Sequence, residues 1–238
     1  MNQGPLIFLG VYLTMALSWL GMVFMPQMQL GRMQETTVPP VGVRYPTARS
    51  GVAQEGREVY RAHGCYYCHT QQIRARGFGA DIERGWGRRH SVAPDYLYEQ
   101  PVMLGSVRVG PDLANIGVRQ PDAALHLLHF YNPQITARGS TMPAYPFLFE
   151  KRKIRGLPAP ESLKLSGEFA PEAGYEIVPK REALALAAYL QSLQADVPLF
   201  EAPLPLPAKK PGSDAATNQP PVGASATNKP AGAAAPTK

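Results

Sequence analysis

No charged side chain occurs before Arg32. Within that uncharged stretch, Leu6 to Met25 reads LIFLGVYLTMALSWLGMVFM, twenty mostly apolar residues. As a helix it spans about 30 Å, the thickness of a bilayer's hydrocarbon core. A core helix of a soluble domain would carry a polar stripe over that length, and here the only interruptions are Tyr12, Thr14, Ser18 and Trp19. A cleavable leader would want a basic start, a shorter apolar run and a small-residue cleavage site, and none is present. Residues 1–31 are therefore read as a retained transmembrane anchor. Gly10, Thr14, Ser18 and Gly21 share one stripe of it, a spacing of small residues that lets a second membrane helix approach closely.

Arg32, Arg44 and Arg49 follow the anchor, which taken alone would hold the following domain in the cytoplasm. Long domains escape that rule, so the side of the membrane has to come from the chemistry of the domain. Twenty-five prolines against 18% charged residues point to a small core with long irregular connections. The net charge of +6 is half accounted for by the stretch from Ala202 to Lys238, which holds four lysines and one aspartate. The remaining body is only mildly basic, and no nucleic-acid partner is expected.

The chain divides into the anchor (1–31), an extended linker (32–49), a folded domain (50–201) and an Ala/Pro/Lys-rich tail (202–238) expected to be disordered. Ser50 is placed to cap a helix ending near His63, with Val52, Gly56, Val59, Tyr60 and His63 on its inner face. Residues 70–110 read as a long ordered loop, and Pro121 to Tyr131 as a helix. A further loop runs to Lys180, and KREALALAAYLQSL forms the last helix. Gly56 and Tyr60 are expected to meet Tyr189 and Leu190, with glycine allowing a close crossing. The fold class is mainly α.

Cys65 and Cys68, in GCYYCHTQQIR, are the only cysteines. A disulfide across so short a loop would constrain little and leave His69 without a purpose. Structural zinc needs four ligands, with only His63, His90, His126 and His129 to complete the set. A redox dithiol belongs in a βαβ pattern that is missing. The remaining reading of C-x-x-C-H is covalent attachment of one haem c, with thioethers from both cysteines and His69 as an axial iron ligand. Tyr66 and Tyr67 would line the haem. For the opposite face of the iron the favoured donor is Met142, in the proline-stiffened STMPAYP, with Met103, His90 and His129 as rivals. In VGPDLANIG, the Pro111 carbonyl is placed to accept the Nδ1 proton of His69 and fix its ring.

These features resemble class I cytochromes c. Three longer stretches, GREVYRAHGCYYCHTQQIR, ERGWGRRHSVAPDYLYEQPVMLGSVRVGPDLANIG and NPQITARGSTMPAYPFLFE, resemble the monohaem, membrane-anchored cytochrome c subunit of cbb3-type haem–copper oxidases. The likeness covers about residues 50–195, with the anchor also in place. It implies that Cys65 and Cys68 bind haem, that His69 and Met142 ligate its iron, and that the domain lies on the periplasmic face of a bacterial cytoplasmic membrane. It further implies a non-catalytic relay, passing single electrons from a dihaem cytochrome c subunit to the haem b of the catalytic oxidase subunit that reduces oxygen. The anchored cytochrome of a nitric oxide reductase and a stand-alone tethered carrier are the alternatives. WGRRHS departs from the family's expected Tyr-Gly-x-Tyr-Ser-like pattern, and Lys151 to Glu176 is an insertion.

Overall fold

A computed structural model of the chain describes residues 3–38 and 42–199. The tail (202–238) lies outside the described residues, as does the end of the expected domain at 200–201. The described part is mainly helical. It begins with one apolar helix, α1 (Gly4–Leu30), of 27 residues and mean hydropathy 2.0, none of it buried. Such a helix fits a single-pass membrane anchor. Pro5 sits in the first turn, where its missing N–H costs nothing. Pro26 lies inside the helix and is accommodated by a π-helical turn at Leu20–Phe24, in which the Met25 N–H reaches back five residues to the Leu20 carbonyl. The helix therefore continues through MVFMPQMQ and ends at Leu30, within the 1–31 span read as the anchor. Thr14 Oγ1 donates to the Gly10 carbonyl at 2.8 Å, and beside Gly10 and Gly21 there is open space.

The segment read as an extended linker contains an antiparallel hairpin, β1 (Thr36–Val38) and β2 (Val43–Tyr45), with Thr36 opposite Tyr45 and Val38 opposite Val43. Val38 and Tyr45 are buried, and the Tyr45 hydroxyl donates to Asp95 Oδ1 at 2.7 Å. The hairpin is thus fastened to the domain rather than free.

Helix α2 (Gly51–Ala62) is capped by Ser50, whose Oγ accepts from the Ala53 N–H at 3.3 Å. It stops where Gly64 turns left-handed at φ 67°. Its inner face is Ala53, Gly56, Arg57 and Tyr60. Val52, expected on that face, is 52% exposed, while its neighbour Ala53 in the same turn takes the inner position. Three short helices follow the long loop: α3 (Ile116–Arg119), α4 (Ala123–Tyr131) and α5 (Pro133–Thr136). Asp122 and Asn132 cap the latter two through 2.8 and 3.0 Å bonds to backbone N–H groups. The expected loop to Lys180 holds a second hairpin, β3 (Phe149–Lys153) and β4 (Tyr175–Pro179), running from Phe149 opposite Pro179 to Lys153 opposite Tyr175. The 151–176 insertion is its outer part, tied by Arg152 and the Ala159 N–H to the two oxygens of Glu176.

The last helix, α6 (Arg181–Ser192), crosses α2 in near backbone contact. A Cβ on Gly56 would stand 1.8 Å from the Ala185 carbonyl oxygen, and the Tyr60 and Tyr189 rings lie 5.3 Å apart. Arg181, at the unfavourable end for the helix dipole, is neutralised by Glu55 at 2.8 Å. Around this crossing Leu113, Leu127, Phe130, Leu148, Leu186 and Leu190 complete the core.

The loop over residues 70–110 has little apolar filling and is held by three buried carboxylates. Asp81 accepts from the Arg74 N–H (2.7 Å), Arg74 Nη2 (3.0 Å) and Arg108 Nη1 (2.7 Å). Asp95 takes a bidentate pair from Arg89 at 2.9 and 2.6 Å, so the divergent WGRRHS stretch supplies a structural arginine. Glu99 is clamped between Arg57 at 3.0 Å and Arg49. Removing one partner of such a pair leaves an unpaired buried charge.

Burial alone would raise the Asp81 carboxyl, but the Arg74 and Arg108 bonds outweigh it and hold the group below its ordinary value. A depressed folded-state value adds stability that is present above the unfolded value, about 3.9, and is lost as pH falls through the folded one. Thermal unfolding followed from neutral pH into that acid range is expected to show a declining midpoint. Asp81→Asn is expected to lower the neutral midpoint and flatten the decline; an unchanged pH slope in that variant contradicts the assignment.

Candidate functional site

After Gly64 the chain winds into one 3-10 turn, Cys65–Tyr67. Both the Cys68 and His69 N–H groups return to the Cys65 carbonyl, at 3.2 and 3.0 Å. The turn thereby presents two sulfurs and an imidazole from one short arc. Both cysteines are free thiols, Cys65 half-buried and Cys68 exposed. Burial pushes the Cys65 thiol up to about 11, the opposite of what a nucleophilic or redox-active thiolate requires. Among the described residues no group of three or more His, Cys, Asp or Glu is placed to hold a metal ion, so His63, His90, His126 and His129 do not complete a zinc set.

Residues 104–113 run alongside the motif. Ser106, Gly110 and Leu113 donate backbone bonds to Tyr66, Cys68 and Thr70 at 3.3, 3.0 and 2.8 Å. This brings the Pro111 carbonyl to 2.8 Å from His69 Nδ1. A carbonyl only accepts, so the proton sits on Nδ1 and the Nε2 lone pair is left for a ligand. Burial lowers the His69 pKa, with the Pro111 bond opposing it, which favours the neutral ring a metal needs. A Cβ on Gly110 would stand 2.2 Å from His69 Cε1, so the imidazole lies directly on bare backbone.

Sequence reasoning singled out Pro111 in this turn and missed its supports. The Asp112 carboxylate, wholly buried, accepts from Thr70 Oγ1 (2.6 Å), the Gln72 N–H (2.8 Å) and the Ala114 N–H (2.8 Å). Arg108 Nε donates to Thr70 Oγ1 at 2.7 Å. These bonds lock the His69 strand to the Pro111 strand. The available signal was Asp112 itself, an acid immediately after Gly-Pro with Arg108 four residues before it, to which it pairs at 3.5 Å.

Met142 is half-buried and packs against the core together with Cys65, Tyr66 and Tyr145. Its loop is fixed by Gln134, which donates to the Ser140 carbonyl at 2.6 Å and accepts from the Gly139 N–H at 2.8 Å. The Tyr145 N–H adds a bond to the Phe130 carbonyl at 2.8 Å. Burial raises the Tyr145 hydroxyl, and the Tyr145 ring lies 6.1 Å from that of His63, two residues before Cys65, so the methionine loop borders the cysteine turn. Of the rivals, Met103 is buried in the core at 6% exposure. His90 lies in the Arg89–Asp95 loop, its carbonyl accepting from Arg89. His129 has its Nδ1 engaged by Thr136 Oγ1.

A family model described as cytochrome c oxidase, mono-heme subunit/FixO, matches residues 3–157. The chain belongs to that family. No curated protein matches the chain. The FixO match takes in the apolar helix, the first hairpin, the cysteine turn, the Gly110–Asp112 support and the Met142 loop, and it ends in the insertion after β3. A FixO protein is a single-haem subunit of a membrane oxidase complex. The residues of this chain fit such a group: two free thiols, a ring held in one tautomer, and a glycine cradle that any Cβ would fill.

Proposed function

We propose that this FixO protein is the membrane-anchored electron relay of a cbb3-type terminal oxidase. The observation that carries the reading is the 2.8 Å bond from His69 Nδ1 to the Pro111 carbonyl, beside two unpaired thiols on the same turn. In this reading residues 50–201 form a class I cytochrome c-like domain. Cys65 and Cys68 would hold one haem c by thioether bonds, and His69 and Met142 would ligate its iron. Covalent attachment puts the domain on the periplasmic face, where it receives electrons from a dihaem cytochrome c subunit and delivers them to the haem b of the catalytic subunit. When bound, the haem supplies a one-electron iron couple.

The protein's own residues set the conditions for that couple. Pro111 keeps the His69 proton on Nδ1 and raises the basicity of Nε2. Asp112, Thr70 and Arg108 hold that pair in register. The Met142 thioether, as a second ligand, would favour the reduced iron and a higher potential than a second imidazole would give.

Met142→Ala and His129→Ala separate the two candidates for the second ligand. Met142→Ala is expected to abolish the weak long-wavelength sulfur-to-iron absorption of the oxidised protein and to lower its midpoint potential. His129→Ala is expected to leave that absorption in place. The reverse pattern would reassign the ligand to His129.

A further inference from the structure

Beyond the cysteine motif the long loop makes a tight turn, closed by a 3.0 Å bond from the Phe78 N–H to the Ala75 carbonyl. Phe78, at its tip, is 79% exposed, more than any other aromatic residue among those described. A lone apolar residue on a surface is ordinary, but this one stands on a built base. The Arg74 guanidinium lies beneath the turn, 2.5 Å from where a Cβ on Gly79 would stand. Arg74 is pinned to the buried Asp81 through both its N–H and its side chain, and Arg108 holds the same carboxylate. The surroundings are basic. From Arg74 to Arg89 the chain carries five arginines and no lysine, against Asp81 and Glu83. Asp81 is wholly buried. Glu83 reaches Arg76 only at 3.5 Å, with both side chains about half exposed, a pair worth little in water. Arg84 lies over the Trp86 ring at 5.1 Å and makes no ion pair among the described residues.

We propose that the Phe78 turn docks into another subunit of the oxidase complex, at an apolar pocket with an acidic rim. The inference rests on membership of the family, whose proteins are subunits of such a complex, and not on which residues ligate haem. Aromatic residues and arginine are enriched at protein interfaces and lysine is depleted, which is the composition of this patch. A ring already held in place loses little freedom on entering a pocket, and the surplus of arginine calls for carboxylates opposite. The ring stands alone at the tip between Gly77 and Gly79, a shape that suits a pocket better than the flat surface of a bilayer.

The test uses the full chain, tagged, in membranes that hold the whole oxidase. With photoreactive benzoylphenylalanine in place of Phe78, irradiation is expected to join the chain to another oxidase subunit at a segment containing Asp or Glu. Adducts confined to lipid or to a second copy of the chain, or no adduct at all, would overturn the proposal. After extraction in mild detergent, Phe78→Ala is expected to lower the other oxidase subunits recovered per chain roughly tenfold, the loss of one interface anchor, with the thermal midpoint of the chain unchanged. Arg84→Gln is expected to weaken recovery less and to flatten its decline with rising salt. Undiminished recovery in Phe78→Ala, a lowered midpoint showing that its own chain packs the ring, or a salt dependence unaltered by Arg84→Gln would each contradict it.

Discussion

Gly56→Ala is expected to destabilise the folded domain by about 3 kcal/mol or more, while Gly51→Ala on the same helix is neutral or stabilising by up to about 1 kcal/mol. The chemical change is the same at both positions, and only the surroundings differ. Around Gly51 there is open space, whereas a Cβ at Gly56 would lie 1.8 Å from the Ala185 oxygen and 2.4 Å from its carbon. Those atoms are backbone of α6, so relief requires the helices to separate. Separation would strip packing from Tyr60 and Tyr189, both almost completely buried. Denaturant unfolding of the full chain, followed by far-ultraviolet circular dichroism, reads both shifts. Shifts of the same sign would mean that the crossing does not hold the domain together.

The second large effect belongs to Gly110. An added methyl there would stand 2.2 Å from His69 Cε1 and within 3 Å of both ring nitrogens. The ring must swing or the 110–111 backbone must retreat, and either movement breaks the bond to the Pro111 carbonyl. Supports of this kind are worth roughly tenfold or more in metal affinity, so Gly110→Ala is expected to reduce the haem-loaded fraction of folded chain by about that factor. Pro111→Ala keeps the carbonyl and is expected to be much milder. The ratio of Soret to protein absorbance after purification separates them, and a harmless Gly110→Ala would remove the cradle from the account.

How much of this was legible in the chain follows from the range of each interaction. The apolar helix, the Ser50 cap and the KREALALAAYLQSL helix rest on residues close in sequence, and the structure has all three. The glycine crossing was legible as well, although Gly56 meets Ala185 one turn before the expected Tyr189. Both hairpins were missed because their strands are three and five residues long, too short to display an alternating pattern. The buried carboxylates were missed for a different reason. Arg57 and Glu99 are 42 residues apart, as are Thr70 and Asp112, and each side chain alone looks like ordinary surface polarity. Arg57, 1% exposed, shows that a loop poor in apolar residues can be ordered by charges paired across the fold.

If the turn at Cys65 carries haem through both sulfurs, trypsin isolates it with the haem attached, since Arg61 and Arg74 bound the peptide AHGCYYCHTQQIR. This peptide, cut from the chain purified from membranes, is expected to retain the Soret absorbance, to weigh one haem more than its residues, and to leave neither cysteine open to alkylation. Recovery of the bare peptide with both thiols alkylated, and with the red colour gone into acid–acetone, would contradict it.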